Sequence, residues 1–236
     1  MSTLVERYSI VRERIANAAG RVGRDPGQVK LIAVSKGRPL PAILELHNLG
    51  QRDFGENRIE EASDKISATR SEPRVVWHMI GHIQSRKAKV VAMAVDWVHS
   101  VDSTALAEKL NRHAVRPLPI LLECNLSGEE AKYGFSADHF DSDPAQWESL
   151  CLAVESIRPL SQLQLLGLMT MAPVVAEPEQ ARSTFRRLRQ LRDRLAARWP
   201  AVDWRELSMG MTDDFEVAIE EGATIVRVGR AIFEEV

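Results

Sequence analysis

Three stretches of this sequence hold residues whose types and spacing suit chemistry. In "VKLIAVSKGRP" an apolar, β-branched run from Val29 to Val34 stops at Ser35, Lys36 and Gly37. A lysine ending a buried strand either snorkels to solvent or is held as a paired or desolvated amine, and a desolvated amine is shifted toward the neutral form that adds to carbonyls. In "LSMGMTDDFEVAI" the strand-like run passes through Ser208 and Gly210 into a helix capped by Thr212 or Asp213, which leaves free backbone N–H groups and a positive helix end. In "VRVGRAIF" Arg227 precedes Gly229, where backbone can approach a ligand closely just before another helical turn.

These groups need a scaffold that gathers them. The chain opens with Thr3 and Glu6 as a capping box and a stripe of Leu4, Tyr8, Val11, Ile15 and Ala18, the pattern of an amphipathic helix. After the first strand, helix-period segments alternate with the apolar runs "RDFG", "RVVWHMIG", "DWVHSV", "LPILLECNL", "LQLLGLM", "WRELSMG" and "TIVRVG". Eight strands with helices between them predict parallel pairing and a single (β/α)8 barrel over residues 1–236, with an additional N-terminal helix. A doubly wound open sheet shares the periodicity but usually has fewer strands.

In a barrel, function gathers where the strands' C-terminal ends converge. The polar residues expected there are Lys36; Gly55, Glu56 and Asn57; Gly81 and His82; Ser100 and Asp102; Asn125; Thr170; Ser208, Gly210 and Thr212; and Arg227 with Gly229. Phosphate sites of such barrels are commonly built from the last two strand-to-helix loops, here the glycine-bearing ones. A phosphate at one side and an amine at the other suggest a phosphorylated aldehyde held as an imine, a description that pyridoxal 5′-phosphate fits.

The motifs "AVSKG", "FGENR", "WHMIGHIQSRK", "SGEEAKYGF", "GLMTM", "LSMGMTDDFEVAI" and "VRVGRAIF", in this order across nearly the whole chain, resemble the pyridoxal phosphate homeostasis proteins, which are similar to the isolated N-terminal barrel of alanine racemase. The resemblance implies that Lys36 forms the internal aldimine and that Ser208 and the backbone at Gly210, Met211 and Gly229 hold the phosphate. It further implies Asn57 near the ring and Arg227 facing the pyridine nitrogen; His82 is a candidate mouth residue or a structural one. An arginine there leaves that nitrogen unprotonated and the ring a poorer electron sink. Racemases of this fold also take a tyrosine from a second domain, whereas here only Tyr8, on the first helix's core stripe, and Tyr133, in a polar loop, exist. The expectation is therefore a protein that stores or delivers the cofactor to apo-enzymes, with no catalytic residues of its own. The alternatives are an amino-acid racemase using the same cofactor and a cofactor-free lyase acting on a phosphorylated sugar. The chain ends "RAIFEEV" where the resembling proteins usually have a glycine after the phenylalanine.

Composition narrows the rest. The 236 residues are 44% hydrophobic and 27% charged, with a net charge of -2, so no global basic field points to nucleic acid or an anionic membrane. Cys124 and Cys151 form no metal-ligand pattern and are read as reduced. The opening segment is charged throughout and lacks an apolar signal-like core, and no run approaches a membrane span, so a cytoplasmic location is expected; with no second domain contributing to a neighbour's site, a monomer is expected. His78 and His82 have the spacing of helix-borne metal ligands but fall within and just after a strand, so no metal site is expected and His78 reads as a core histidine. "EEAKYGF" is either a mobile loop over the mouth, with Lys132 as a second amine, or a solvated turn, the reading preferred here. The arginines of "RSTFRRLRQLRDRLAARW" lie outside a stripe of Phe185, Leu188, Leu191, Leu195 and Trp199, as on an outer barrel helix.

Overall fold

The computed structural model describes residues 2–70, 72, 75–129 and 131–234. Its eight barrel strands are β1 (Lys30–Val34), β2 (Asp53–Glu56), β3 (Val76–Met79), β4 (Trp97–Val101), β5 (Leu118–Asn125), β7 (Leu163–Met169), β8 (Glu206–Ser208) and β9 (Ile225–Val228), and a two-residue annex, β6 (Phe135–Ser136), pairs with the end of β5. All pairings are parallel. The β1–β9 and β4–β5 pairings close the sheet on itself, which gives the expected (β/α)8 barrel.

The helices are α1 (Leu4–Arg21), α2 (Leu40–Asn48), α3 (Ile59–Ala68), α4 (Ala88–Ala94), α5 (Thr104–His113), α6 (Pro144–Ile157), α7 (Arg182–Arg198), α8 (Phe215–Glu220) and α9 (Arg230–Phe233). The capping box at α1 forms as read: Thr3 Oγ1 accepts the Glu6 N–H at 3.2 Å, and the Thr3 N–H donates to Glu6 Oε2 at 2.7 Å. Tyr8, Val11, Ile15 and Ala18 are buried, and α1 packs against α8 and α9. Tyr8 O–H donates to Gln51 Oε1 at 3.2 Å, and Gln51 in turn donates to the Leu31 and Asp53 carbonyls at 2.7 and 2.6 Å, so α1 is tied to the start of β1 and β2.

Strand alternation divides the core in two. Phe54, Trp77, Met79, Val98 and Ile120 face the helices in one large cluster, whereas Ile32, Leu121, Leu166, Met169 and Ile225 form a small inner one. Beside them, with Trp97, several inward positions are polar: Lys30, Asp53, His78, His99, Glu123, Ser208 and Arg227. The barrel axis is therefore filled on one side by hydrogen-bonding groups instead of aliphatic layers. The α7 arginines are not simply solvated, because the carboxylate of Glu221, buried after α8, accepts from Arg182 and Arg186 at 3.1 and 3.0 Å and pairs with Arg189 at 3.3 Å, which joins α7 to α8. No described helix is long and apolar enough to cross a membrane.

Candidate functional site at the barrel mouth

The first strand ends two residues earlier than the sequence suggests. β1 stops at Val34, Ser35 is fully buried, and Lys36 stands exposed in the following turn, so its amine is not desolvated by the barrel. Its backbone is nonetheless clamped from both sides. Lys65 of α3 donates to the Ser35 carbonyl at 2.8 Å and to Glu56 Oε1 at 2.7 Å, and Ser35 Oγ donates to the same Glu56 oxygen at 2.6 Å. On the other side the Gly37 N–H donates to Glu61. Burial pushes the Glu56 carboxyl up, and its bonds from Lys65 and Ser35 oppose that. A fixed main chain with a free amine is the arrangement that presents a lysine to an incoming carbonyl.

On the same end of the barrel are the turn after β9, the strand paired with β1, and the turn after β8, one strand further. The helix after β8 begins at Phe215, later than Thr212 or Asp213 would place it, because Asp214 is its capping residue and Asp214 Oδ1 accepts the Met211 N–H at 2.6 Å. The Met211 amide is therefore engaged within the turn. The N–H groups of Gly210, Thr212, Asp213 and Gly229 have no protein partner among the described residues. Gly210 has φ +93°, and a Cβ there would lie 2.6 Å from the Ala218 Cβ, so the turn cannot form with a side chain at that position. Gly229 lies against Val34, two residues before Lys36. A cleft of about 610 Å³ opens beside this turn, bounded by Ala172, Val174, Met211, Thr212 and Arg230.

Ser208 and Arg227 lie beneath the mouth. Arg227 is almost fully buried, donates to Ser208 Oγ at 2.6 Å and to the Thr170 carbonyl at 2.9 Å, and is pulled down to about 10 by burial, with Glu123 and Asp214 opposing, so it is charged at neutral pH. The Ser208 hydroxyl is fully buried and also bonded to His99 Nδ1 at 2.9 Å, which ties it to the barrel interior. Glu123, unremarked in the sequence, is buried beside this group with Oε2 unpaired, and burial pushes its carboxyl up to about 7, the Asp102 carboxylate adding to the effect and Arg227 opposing it.

At the rim, Asn57 is half-buried and held by close backbone packing, since a Cβ on Gly81 would come within 2.4 Å of its carbonyl oxygen. His82 Nδ1 pairs with Asp102 at 2.9 Å, and the Tyr133 ring stacks on His82 at 3.6 Å between centroids and 12° between planes. The loop after β5 therefore reaches over the mouth, the less favoured of the two sequence readings of "EEAKYGF", and brings Tyr133 to the site. Lys132 is tied within that loop to Glu129 and to Ser127 Oγ. Glu130 and the chain end Glu235–Val236 lie outside the described residues. His78 is a core histidine, bonded to His99 and Asp53.

Residues 9–235 match the family model of the alanine racemase N-terminal domain. The chain is 41% identical over 236 residues to the pyridoxal phosphate homeostasis protein of Pseudomonas aeruginosa, covering 99% of this chain and 96% of that protein. It belongs to this family. The homeostasis protein of Escherichia coli K12 is 37% identical, with 99% and 97% of the two chains covered. Among solved structures, PipY of Synechococcus elongatus PCC7942 without PLP superposes with a TM-score of 0.81 at 38% identity, covering 94% of this chain and 99% of its own. PipY with PLP bound gives a TM-score of 0.77 at 36% identity over the same shares. Alanine racemase from Corynebacterium glutamicum, at 16% identity and a TM-score of 0.62, shares the barrel fold over 95% of this chain and 61% of its own.

Proposed function

We propose that this protein binds pyridoxal 5′-phosphate in the barrel mouth and keeps it available in the cell, with little or no turnover. The observation that carries the reading is the exposed Lys36, on a clamped main chain at the end of β1, on the same barrel end as unpartnered backbone N–H groups after the adjacent β9 and after β8 one strand further. The groups present fit the cofactor. Gly210, Thr212, Asp213 and Gly229 offer amide donors to its phosphate, Lys36 offers an amine for an imine to its aldehyde, Asn57 lies at the rim beside the ring, and buried Arg227 supplies a donor and a positive charge below it. Met211 contributes the shape of the phosphate turn, and His82 lines the opposite rim. When bound, the cofactor would supply an electron-withdrawing ring; a cationic donor below that ring restrains carbanion chemistry. The names of the relatives, homeostasis proteins rather than enzymes, support the same reading, and apo-enzymes that need the cofactor are the recipients it implies.

The test is an absorption spectrum between about 300 and 500 nm of wild type and Lys36→Ala after incubation with pyridoxal phosphate, followed by borohydride reduction and intact mass. A protonated-imine band, and a cofactor mass fixed by reduction in the wild type alone, is the expected result. A wild type that stays colourless and gains no mass overturns the reading. Steady turnover of an amino acid by the loaded protein would move it to the racemase-like enzymes.

A further inference from the structure

A line of hydrogen bonds crosses the barrel interior. His78 Nε2 lies 2.9 Å from Asp53 Oδ1, His78 Nδ1 lies 3.0 Å from His99 Nε2, His99 Nδ1 lies 2.9 Å from Ser208 Oγ, and Arg227 donates to Ser208 Oγ at 2.6 Å. Donor chemistry fixes its direction. A carboxylate only accepts, so His78 carries its proton on Nε2 and accepts at Nδ1. His99 must then donate from Nε2, which leaves Nδ1 as an acceptor. Burial pulls both rings down, which favours their neutral forms, with Asp53 opposing at His78 and with His78 and Arg227 adding to the effect at His99. The Ser208 O–H can only donate to His99, and its oxygen accepts from Arg227. Every bond points the same way, from the guanidinium cation to the Asp53 anion, and the single hydroxyl proton of Ser208 is committed inward. Other charged groups near the line are Lys30, 3.9 Å from Asp53, and Asp96, Glu123 and Asp214 at longer range.

We propose that His99, backed by His78 and Asp53, is a positioning residue for the cofactor site: it turns Ser208 into a fixed acceptor that holds Arg227 in place, so that Ser208 serves the ring side and not the phosphate. The inference rests on the pyridoxal phosphate reading above. Its test uses His99→Leu, which keeps the volume without an acceptor, and His99→Asn, whose amide oxygen replaces Nδ1 as acceptor. His99→Leu is expected to weaken pyridoxal phosphate binding roughly 10-fold or more, the effect of losing a hydrogen bond that holds a charged group, and to shift the absorption band of the bound cofactor. His99→Asn is expected to recover most of both, and competition by inorganic phosphate is expected to be the same in all three proteins. If His99→Leu and His99→Asn behave alike, or if phosphate competition falls together with cofactor affinity, the proposal is overturned. Long-range ¹H–¹⁵N spectra of the protein without cofactor read the tautomers independently: a proton on His99 Nδ1 refutes the proposed direction whatever the cofactor does. A wild type that shows these tautomers but takes up no cofactor refutes the functional reading instead.

Discussion

Glu123 offers a stability measurement whose sign and size follow from its surroundings. Its carboxyl is buried with one oxygen unpaired, and its proton is held to about pH 7 against an ordinary 4.5. The folded protein thus binds this proton more tightly than the unfolded chain, so its favourable contribution is complete below about pH 4.5 and is lost as pH rises toward 7. A change from 4.5 to about 7 at about 1.4 kcal/mol per tenfold amounts to about 3 kcal/mol. Glu123→Gln keeps the shape and removes the titration. The variant and the wild type should therefore differ least near pH 4.5, and above pH 7 the variant should be the more stable by as much as about 3 kcal/mol, or roughly 6–12 °C in Tm for a chain of this size. Urea unfolding followed by circular dichroism from pH 4.5 to 8, with thermal scans alongside, measures this. A stability difference that stays constant across that range would show that Glu123 ionises normally and that the argument from its burial is wrong.

Two further substitutions probe the supports of the mouth. Gly81→Ala places a methyl against the Asn57 carbonyl, 2.4 Å away before relaxation, and should cost roughly 1–3 kcal/mol in urea unfolding while loosening the rim that carries Asn57. Glu221→Gln removes the charge that collects Arg182, Arg186 and Arg189, and should destabilise the α7–α8 contact by roughly 1–3 kcal/mol, less at high salt because the arginines are partly exposed.

Much of this was readable from periodicity and spacing. The strands and helices fall in the expected order, the Thr3–Glu6 cap forms, and His78 is the core histidine that its position inside a strand suggests. The interior network was less visible because its members are one per strand and far apart in sequence: Asp53, His78, His99, Ser208 and Arg227 meet only once the sheet closes. A signal was nevertheless present. Alternation puts His99 on the inward face of β4, and a polar residue there needs partners from neighbouring strands. The end of β1 and the cap of α8 were misplaced by two residues or fewer, since both depend on side chains reaching from elsewhere, Lys65 to Ser35 and Asp214 to Met211. Tyr133 over His82 is a tertiary contact across the mouth that no local pattern encodes.

The early end of β1 divides the mouth into two kinds of environment. Ser35 is buried and bonded on its side chain and carbonyl, whereas Lys36, the next residue, is exposed to solvent. On the reading proposed above, a bond made at that exposed amine would be hydrolysable in place while the turns after β8 and β9 hold the rest of the ligand. Residence time on such a protein would be governed by how firmly the far end is gripped, and a change in the phosphate turn would alter the rate of release more than a change beside the lysine.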